Sequence, residues 1–265
     1  MSMKVLFFGD VCGPEGIEAV TETLPKWKAE HQPDLVIANA ENADRAGTSK
    51  DSIQKLGKAG VEAFTSGDHF RDKGFSDLLD YPIVRPENLN ETHPGVGVRV
   101  VETALHKKVL LINLLGKVMV KHDVRNYFDA IDEILSAHDD DSLAGIFVDF
   151  HATMTSEEQA LGFYVDGRVS ALVGTHTHVP TADTRVLPNG TAFQSDVGMC
   201  GSLNSVIGMG VDRSYMFLRR ELGEDVVMPP HKKGLFPKPY FCDAVLIDVI
   251  DRHKSRSITR LTTRQ

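Results

Sequence analysis

The chain has 265 residues, a formal charge of −8 and 42% hydrophobic residues, the balance of an ordinary soluble globular protein. That acidity argues against a groove for long nucleic acid, which would show a basic stripe, but leaves room for a small phosphorylated substrate wherever bound cations reverse the local field. The N-terminal apolar run is too short for a signal peptide, and no stretch approaches the roughly 20 apolar residues of a membrane helix. Cys12, Cys200 and Cys242 form no CxxC pair, so the expectation is a reducing, cytoplasmic setting without membrane association.

In chain order, short continuous apolar runs alternate with amphipathic segments. Val5–Gly9, Leu35–Ala40, Val61–Ser66, Val109–Leu115, Ala144–Phe150 and Ser170–Gly174 read as strands buried on both faces. Ile17–Lys28, Ser49–Ala59, Val124–Ala137 and Ser156–Val165 read as helices, the last with Thr155 as N-cap of a capping box closed by Glu158. This alternation predicts a layered α/β fold, taken as one domain over residues 1–265. Further on, Ala192–Gln194 and Phe241–Ile250 read as strands and Arg213–Glu221 as a helix. Val226–Tyr240, rich in proline and glycine, reads as a surface excursion, with a flap over the site as the sharper alternative. Asp139–Asp141 reads as a solvated turn, and the tail Arg252–Arg264 as an edge strand or frayed end.

Polar side chains that bind metals stand at the ends of these runs. Asp10 follows the first, Glu41 and Asn42 the second, Asp68 and His69 the third, His151 the fifth, and His176 and His178 the sixth. In parallel strands all five clusters emerge at one carboxyl edge, where open α/β sheets bind ligands. Asp10 alone could be a turn residue, Gly67-Asp68-His69 a tight turn, and His151 a satisfied core histidine. In an extended His176-Thr177-His178, however, both imidazoles point the same way. His31, His93, His106, His122, His138, His231 and His253 lack such a setting and read as surface.

Carboxylate, amide and imidazole ligands without thiolates suit borderline and hard ions. Eight candidate groups suit two ions, which at a spacing of roughly 3.5–4 Å can activate a water and stabilise a leaving oxygen. Glu41 is the best candidate for a bridging carboxylate, and His69 for protonating the leaving group.

The order Gly9-Asp10, Asn39-Ala40-Glu41-Asn42, Gly67-Asp68-His69, His151 and Gly174-Thr175-His176-Thr177-His178 resembles the calcineurin-like metallophosphoesterases, and more narrowly the bacterial YmdB-like branch, which includes cyclic-nucleotide phosphodiesterases. Supporting stretches are Phe147–His151, Ser156–Gly162, Asp166–Ala171, Gly174–Ala182, Asp196–Met199 and Arg85-Pro86, so the resemblance spans nearly the whole chain. It implies mixed β-sheets forming a sandwich flanked by helices. It also implies two metal ions, with Fe or Mn expected before Zn or Mg. One ion would be held by Asp10, Glu41, Asn42 and His178, the other by Glu41, Asp68, His151 and His176. His69 would face the scissile phosphate of a small phosphate ester. A phosphomonoesterase is the alternative within the class; a metal-dependent amide or ester hydrolase and a regulatory protein that senses a ligand through the site are the alternatives outside it. Nothing in the residues assigns an interface, and a homo-oligomer stays open.

The chain departs from the family pattern at Asp68, where asparagine is usual. A carboxylate there adds negative charge to the second site, which gives two readings: tighter binding with a lean toward harder or trivalent ions, or a plain substitution of one ligand for another without consequence. It also carries Cys12 where the wider superfamily often has histidine. A thiolate ligand and a small packed residue are the two readings of that position.

Overall fold

A computed structural model describes residues 2–72, 74–90, 92–120, 123–229 and 235–264. The strands are β1 (Met3–Phe8), β2 (Asp10–Val11), β3 (Leu35–Asn39), β4 (Ala63–Thr65), β5 (Val98–Glu102), β6 (Lys108–Leu115), β7 (Leu143–His151), β8 (Ala171–Thr175), β9 (Arg185–Val186), β10 (Ala192–Gln194), β11 (Met199–Ser202), β12 (Tyr240–Asp251) and β13 (Lys254–Thr262). The helices are α1 (Gly13–His31), α2 (Lys50–Ala59), α3 (Tyr127–Ala137), α4 (Thr155–Tyr164) and α5 (Val211–Glu221).

The strands form two mixed sheets. The first runs β2-β11-β12-β1-β3-β4, with β13 on β12; the second runs β5-β6-β7-β8-β10-β9. Within them β1, β3 and β4 are parallel, as are β6, β7, β8 and β10. Long β12 runs antiparallel between β1 and β13, so the tail is an edge strand. The expectation of one parallel edge is therefore corrected: two parallel cores stand face to face.

Alternation along each strand explains why its apolar run is continuous. Val5 and Phe7 of β1 and Ile37 of β3 meet Val109, Leu111, Phe147 and Val173 of the second sheet in the interior between the sheets. Their neighbours Leu6, Phe8, Val36 and Ala38 face outward onto Val20, Leu24 and Trp27 of α1 and Ile53 and Leu56 of α2. On the other side Leu110, Ile112, Ile146, Val148 and Leu172 pack against Ile131 and Ile134 of α3 and Leu161 of α4. Both faces of both parallel cores are covered, and each fully buried large apolar side chain contributes about 1.5–3 kcal/mol.

Several boundaries differ from expectation. Helix α1 starts four residues early because Pro14 fits the first turn, and it ends at Gln32, whose φ is 51°. Helix α3 starts at Tyr127, because the Asn126 side chain caps it by accepting from the Phe128 amide while Val124 bridges to Leu89. The capping box on α4 does not form: Met154 is the N-cap, and Glu158 turns inward and is fully buried against Gly174. The neighbouring Glu157 accepts from the amides of Lys117 (2.9 Å) and Val118 (3.1 Å). The Asp139–Asp141 turn is exposed, yet Arg252 reaches both of its outer carboxylates. Of the excursion Val226–Tyr240, residues 230–234 lie outside the described residues, as do His122 and His231. Its last part is anchored: Phe236 is buried and the Pro237 carbonyl accepts from Ser202. His106 is exposed, whereas His31, His93, His138 and His253 are half-buried rather than free on the surface. No helix among the described residues is long and apolar enough to cross a membrane.

Candidate metal centre

The carboxyl ends of the two parallel cores meet, and all eight side chains singled out from the sequence converge there. The first sheet delivers Asp10 on β2, Glu41 and Asn42 in the turn after β3, and Asp68 and His69 after β4. The second delivers His151 as the last residue of β7, and His176 and His178 after β8. Two groups form with ligand atoms within 4.8 Å of one another: Glu41, Asp68, His151 and His176, and Asp10, Glu41 and His178.

Glu41 belongs to both. Its Oε2 lies 3.2 Å from His151 Nε2 and accepts from the His69 amide at 3.3 Å, while its Oε1 accepts from Asn42 Nδ2 at 2.7 Å. The carboxylate thus offers one oxygen to each group. In the first group His151 Nε2 stands 3.0 Å from His176 Nδ1 and 3.5 Å from Asp68 Oδ1. In the second, His178 Nε2 lies 3.7 Å from Asp10 Oδ1 and 3.2 Å from the Asn42 amide. A half-turn of that amide brings Asn42 Oδ1 to the same place.

The setting fits cations. Asp10 is fully buried, and its Oδ1 has no hydrogen-bond partner among the described residues. An uncompensated buried carboxylate oxygen is costly unless something positive meets it. Gly67 keeps the centre open: a Cβ there would stand 2.0 Å from Glu41 Oε2 and 2.4 Å from His151 Nε2.

Electrostatics follow from crowding. Burial, opposed in part by His151, pushes the Asp10 carboxyl up to about 8. Burial works the same way on Glu41 and Asp68, but the charge and hydrogen bonds of His151 outweigh it, and both are lowered. Burial and the charge on His151 press His176 down to about 4. For His69, burial is outweighed by Glu41, Asp68 and Asp72, so its pKa rises; its Nδ1 is 2.8 Å from Asp72 Oδ2.

His176 and His178 converge by a different route from the extended chain expected. Their φ angles are 112° and 65°, in the region L-residues rarely adopt. The bent loop turns its amides onto carboxylates: His176 donates to Asp10 Oδ2 (3.1 Å) and Thr177 to Asp196 Oδ2 (2.8 Å). Asp196 also accepts from the Thr177 hydroxyl (2.8 Å) and the Gly198 amide (2.7 Å), which holds the bend. Cys12 is buried against Met199 and Phe241 with Sγ 3.6 Å from His178 Nδ1, and burial together with Asp10 and Glu41 pushes its thiol far up, which favours a packed thiol.

A family model for YmdB-like proteins matches residues 6–261. The chain belongs to the YmdB-like family. It is 43% identical over 221 residues to a 2',3'-cyclic-nucleotide 2'-phosphodiesterase of Bacillus subtilis (strain 168), covering 82% of each chain. It is also similar to a crystal structure of a hypothetical protein from Thermus thermophilus (TM-score 0.85, 36% identity, 98% of both chains). A third likeness is to a crystal structure of a novel phosphatase from Mycoplasma pneumoniae (TM-score 0.85, 32% identity), covering 99% of this chain and 93% of that one.

Behind the centre of this YmdB-like chain lies a buried polar layer to which sequence reasoning assigned no role. Thr175 Oγ1 donates its single proton to Asp149 Oδ1 at 2.7 Å, so the contact with His151 Nδ1 at 2.8 Å has the imidazole as donor. That orients the ring with Nε2 toward Glu41 and Asp68, where it would give its lone pair to a bound cation. Asp149 Oδ2 accepts from Thr65 Oγ1 and, at 3.0 Å, from Asn39 Nδ2, while Asn39 Oδ1 accepts from the Glu41 amide at 3.0 Å. Every member of this layer is fully buried. The available signal was a carboxylate and an amide, Asp149 and Asn39, inside runs otherwise apolar. Arg45, Thr153, Ile207 and Met209, which line the cavity at the centre with His69 and His176, carried no comparable signal.

Proposed function

We propose that this chain is a metal-dependent phosphodiesterase of the calcineurin-like fold that hydrolyses 2',3'-cyclic nucleotides, opening the ring at the 2' ester as its Bacillus relative's name describes. The observation that carries this reading is the Glu41 carboxylate, with one oxygen turned to each of two ligand groups. In this reading Asp10, Glu41, Asn42 and His178 hold one ion, and Glu41, Asp68, His151 and His176 the other, iron or manganese before zinc or magnesium. Bound there, the pair supplies the Lewis acidity that activates water and neutralises phosphoryl charge.

The chain's own residues do the rest. The Thr175–Asp149 pair holds the His151 ring with Nε2 toward the centre. Asp72 engages Nδ1 of His69 at 2.8 Å, a carboxylate partner that favours the doubly protonated ring and so a proton at Nε2. That proton passes to the departing 2' oxygen as the phosphorus–oxygen bond breaks and the hydroxyl of water adds to phosphorus; the water's other proton leaves to solvent, from which His69 is reprotonated. A single folded unit over residues 1–265, with both sheets contributing to one centre, is part of the same reading.

The Mycoplasma structure's description as a phosphatase supports a second reading, monoester hydrolysis. Side-by-side turnover separates the two. The diesterase reading expects conversion of a 2',3'-cyclic nucleotide to the 3'-mononucleotide, with the product accumulating. Faster release of inorganic phosphate from the mononucleotide than ring opening would reverse the assignment.

A further inference from the structure

The cavity that reaches the candidate metal centre has a volume of about 370 Å³, within the range of small-molecule pockets. Glu41, Asn42, His69, His176 and His178 line one part of it; Ile207, Gly208 and Met209 line another. The second part is a tight hairpin. Val206 and Met209 exchange both backbone hydrogen bonds, at 2.8 and 2.9 Å, and the two residues between them have φ of 47° and 89°. Positive φ at both central positions is the signature of a type I′ turn, which selects asparagine or aspartate followed by glycine. This turn uses Ile207-Gly208. A β-branched residue at positive φ is a true outlier, and such strain persists only where surrounding contacts hold it in place.

Those contacts are present and lead to the centre. The Ile207 carbonyl accepts from His178 Nδ1 at 2.9 Å, which leaves the His178 Nε2 lone pair for the cavity side. The Ser205 hydroxyl accepts from the Gly208 amide at 3.1 Å, and a Cβ on Gly208 would meet Cys12 Sγ at 3.4 Å, so the turn is seated on the floor of the centre. Despite this anchoring, the side chains it presents are not used for core packing: Ile207 is 43% and Met209 39% exposed. Asparagine would relieve the backbone and give up only the partial burial of this side chain, yet isoleucine stands there. An apolar side chain held at conformational expense beside a phosphate-ester centre calls for an apolar ligand surface.

We propose that the Ile207–Met209 turn is a specificity ledge that takes the flat face of the substrate's nucleobase while the phosphate sits at the metal centre. The inference rests on the phosphodiesterase reading above and adds the residues that select a nucleotide over other cyclic phosphates. The ledge contributes to binding rather than to bond making, so its removal acts on KM and on the choice between substrates.

The test compares kcat/KM for a 2',3'-cyclic nucleotide with that for the base-free glycerol 1,2-cyclic phosphate, in wild type, Ile207→Asn, Ile207→Gly and Ile207→Leu. The expected result is a nucleotide-to-glycerol selectivity ratio about 10-fold or more lower in the Asn and Gly variants, carried by KM, and retained in Ile207→Leu. Ile207→Asn also melts higher than wild type, by roughly 2–4 °C, because asparagine accepts the positive φ. That combination of a firmer fold with poorer nucleotide selection is not produced by a merely structural residue. An unchanged ratio in folded Asn and Gly variants overturns the ledge while leaving the diesterase reading intact. Wild-type protein that opens neither cyclic ester overturns that reading and the ledge with it.

Discussion

The two sheets contribute opposite chemistry to the same centre. The first sheet brings the carboxylates Asp10, Glu41 and Asp68; the second brings the imidazoles His151, His176 and His178. The support differs in kind as well. The acidic side leaves Asp10 Oδ1 without a partner among the described residues, whereas His151 and His178 each have the second ring nitrogen engaged, by Thr175 and by the Ile207 carbonyl. Charge is thus left for cations to compensate, while geometry is fixed in advance on the imidazole side, where a rotated ring would turn its ligand atom away.

The contrast can be broken from either side, and the acidic side matters most because Glu41 alone faces both groups. Glu41→Gln keeps the shape and removes the shared charge. The expected outcome is a loss of phosphodiester turnover of about 10³-fold or more, read in steady-state kinetics. A residue serving one ion would cost far less.

The next effect is on the imidazole side. Thr175→Val keeps volume and removes the hydroxyl between His151 and Asp149. Metal affinity, measured by calorimetric titration, should fall about 10–100-fold, and Thr175→Ser should restore it. Equal affinities in all three proteins would show that the His151 ring needs no such hold.

The smallest effect lies behind the second sheet. Burial and the neighbouring Asp196 and Asp183 push Glu158 from its ordinary 4.5 up to about 9. The folded chain therefore keeps a proton there that the unfolded chain releases. This contribution is fully present below pH 4.5 and is lost as the pH rises toward 9. Glu158→Gln, neutral at every pH, should be more stable than wild type near pH 8 by ~1–3 kcal/mol, with the difference vanishing below pH 5 in melts across that range.

Much of this centre was legible in the residues, because metal ligands at strand ends interrupt apolar runs abruptly. Asp10, Glu41 and His151 stand directly against such runs. The division into two sheets was not legible in the apolar pattern and came only with the family resemblance: β1 and β7 read alike because each is covered by helices outside and by the other sheet inside. Nor was the bend at His176-Thr177-His178, since positive φ at a non-glycine residue leaves no mark in composition; only Asp196, which holds the bend, hints at it. Glu158 misled for a related reason. Its spacing from Thr155 fits a capping box, but a residue facing the interior next to Gly174 packs inward instead. Asp149 and Asn39 were visible as polar interruptions, and their role emerged only when the two sheets brought them within hydrogen-bond distance.

Electron paramagnetic resonance of the chain loaded with Mn(II) tests the shared carboxylate most directly. Two ions held by the two ligand groups would share Glu41 and, at the roughly 3.5–4 Å spacing of such pairs, would be magnetically coupled. The expected spectrum is that of a coupled pair at two ions per chain, reverting to isolated ions in Glu41→Gln. A single isolated Mn(II) per chain in the wild type, or coupling that survives in Glu41→Gln, would contradict the account.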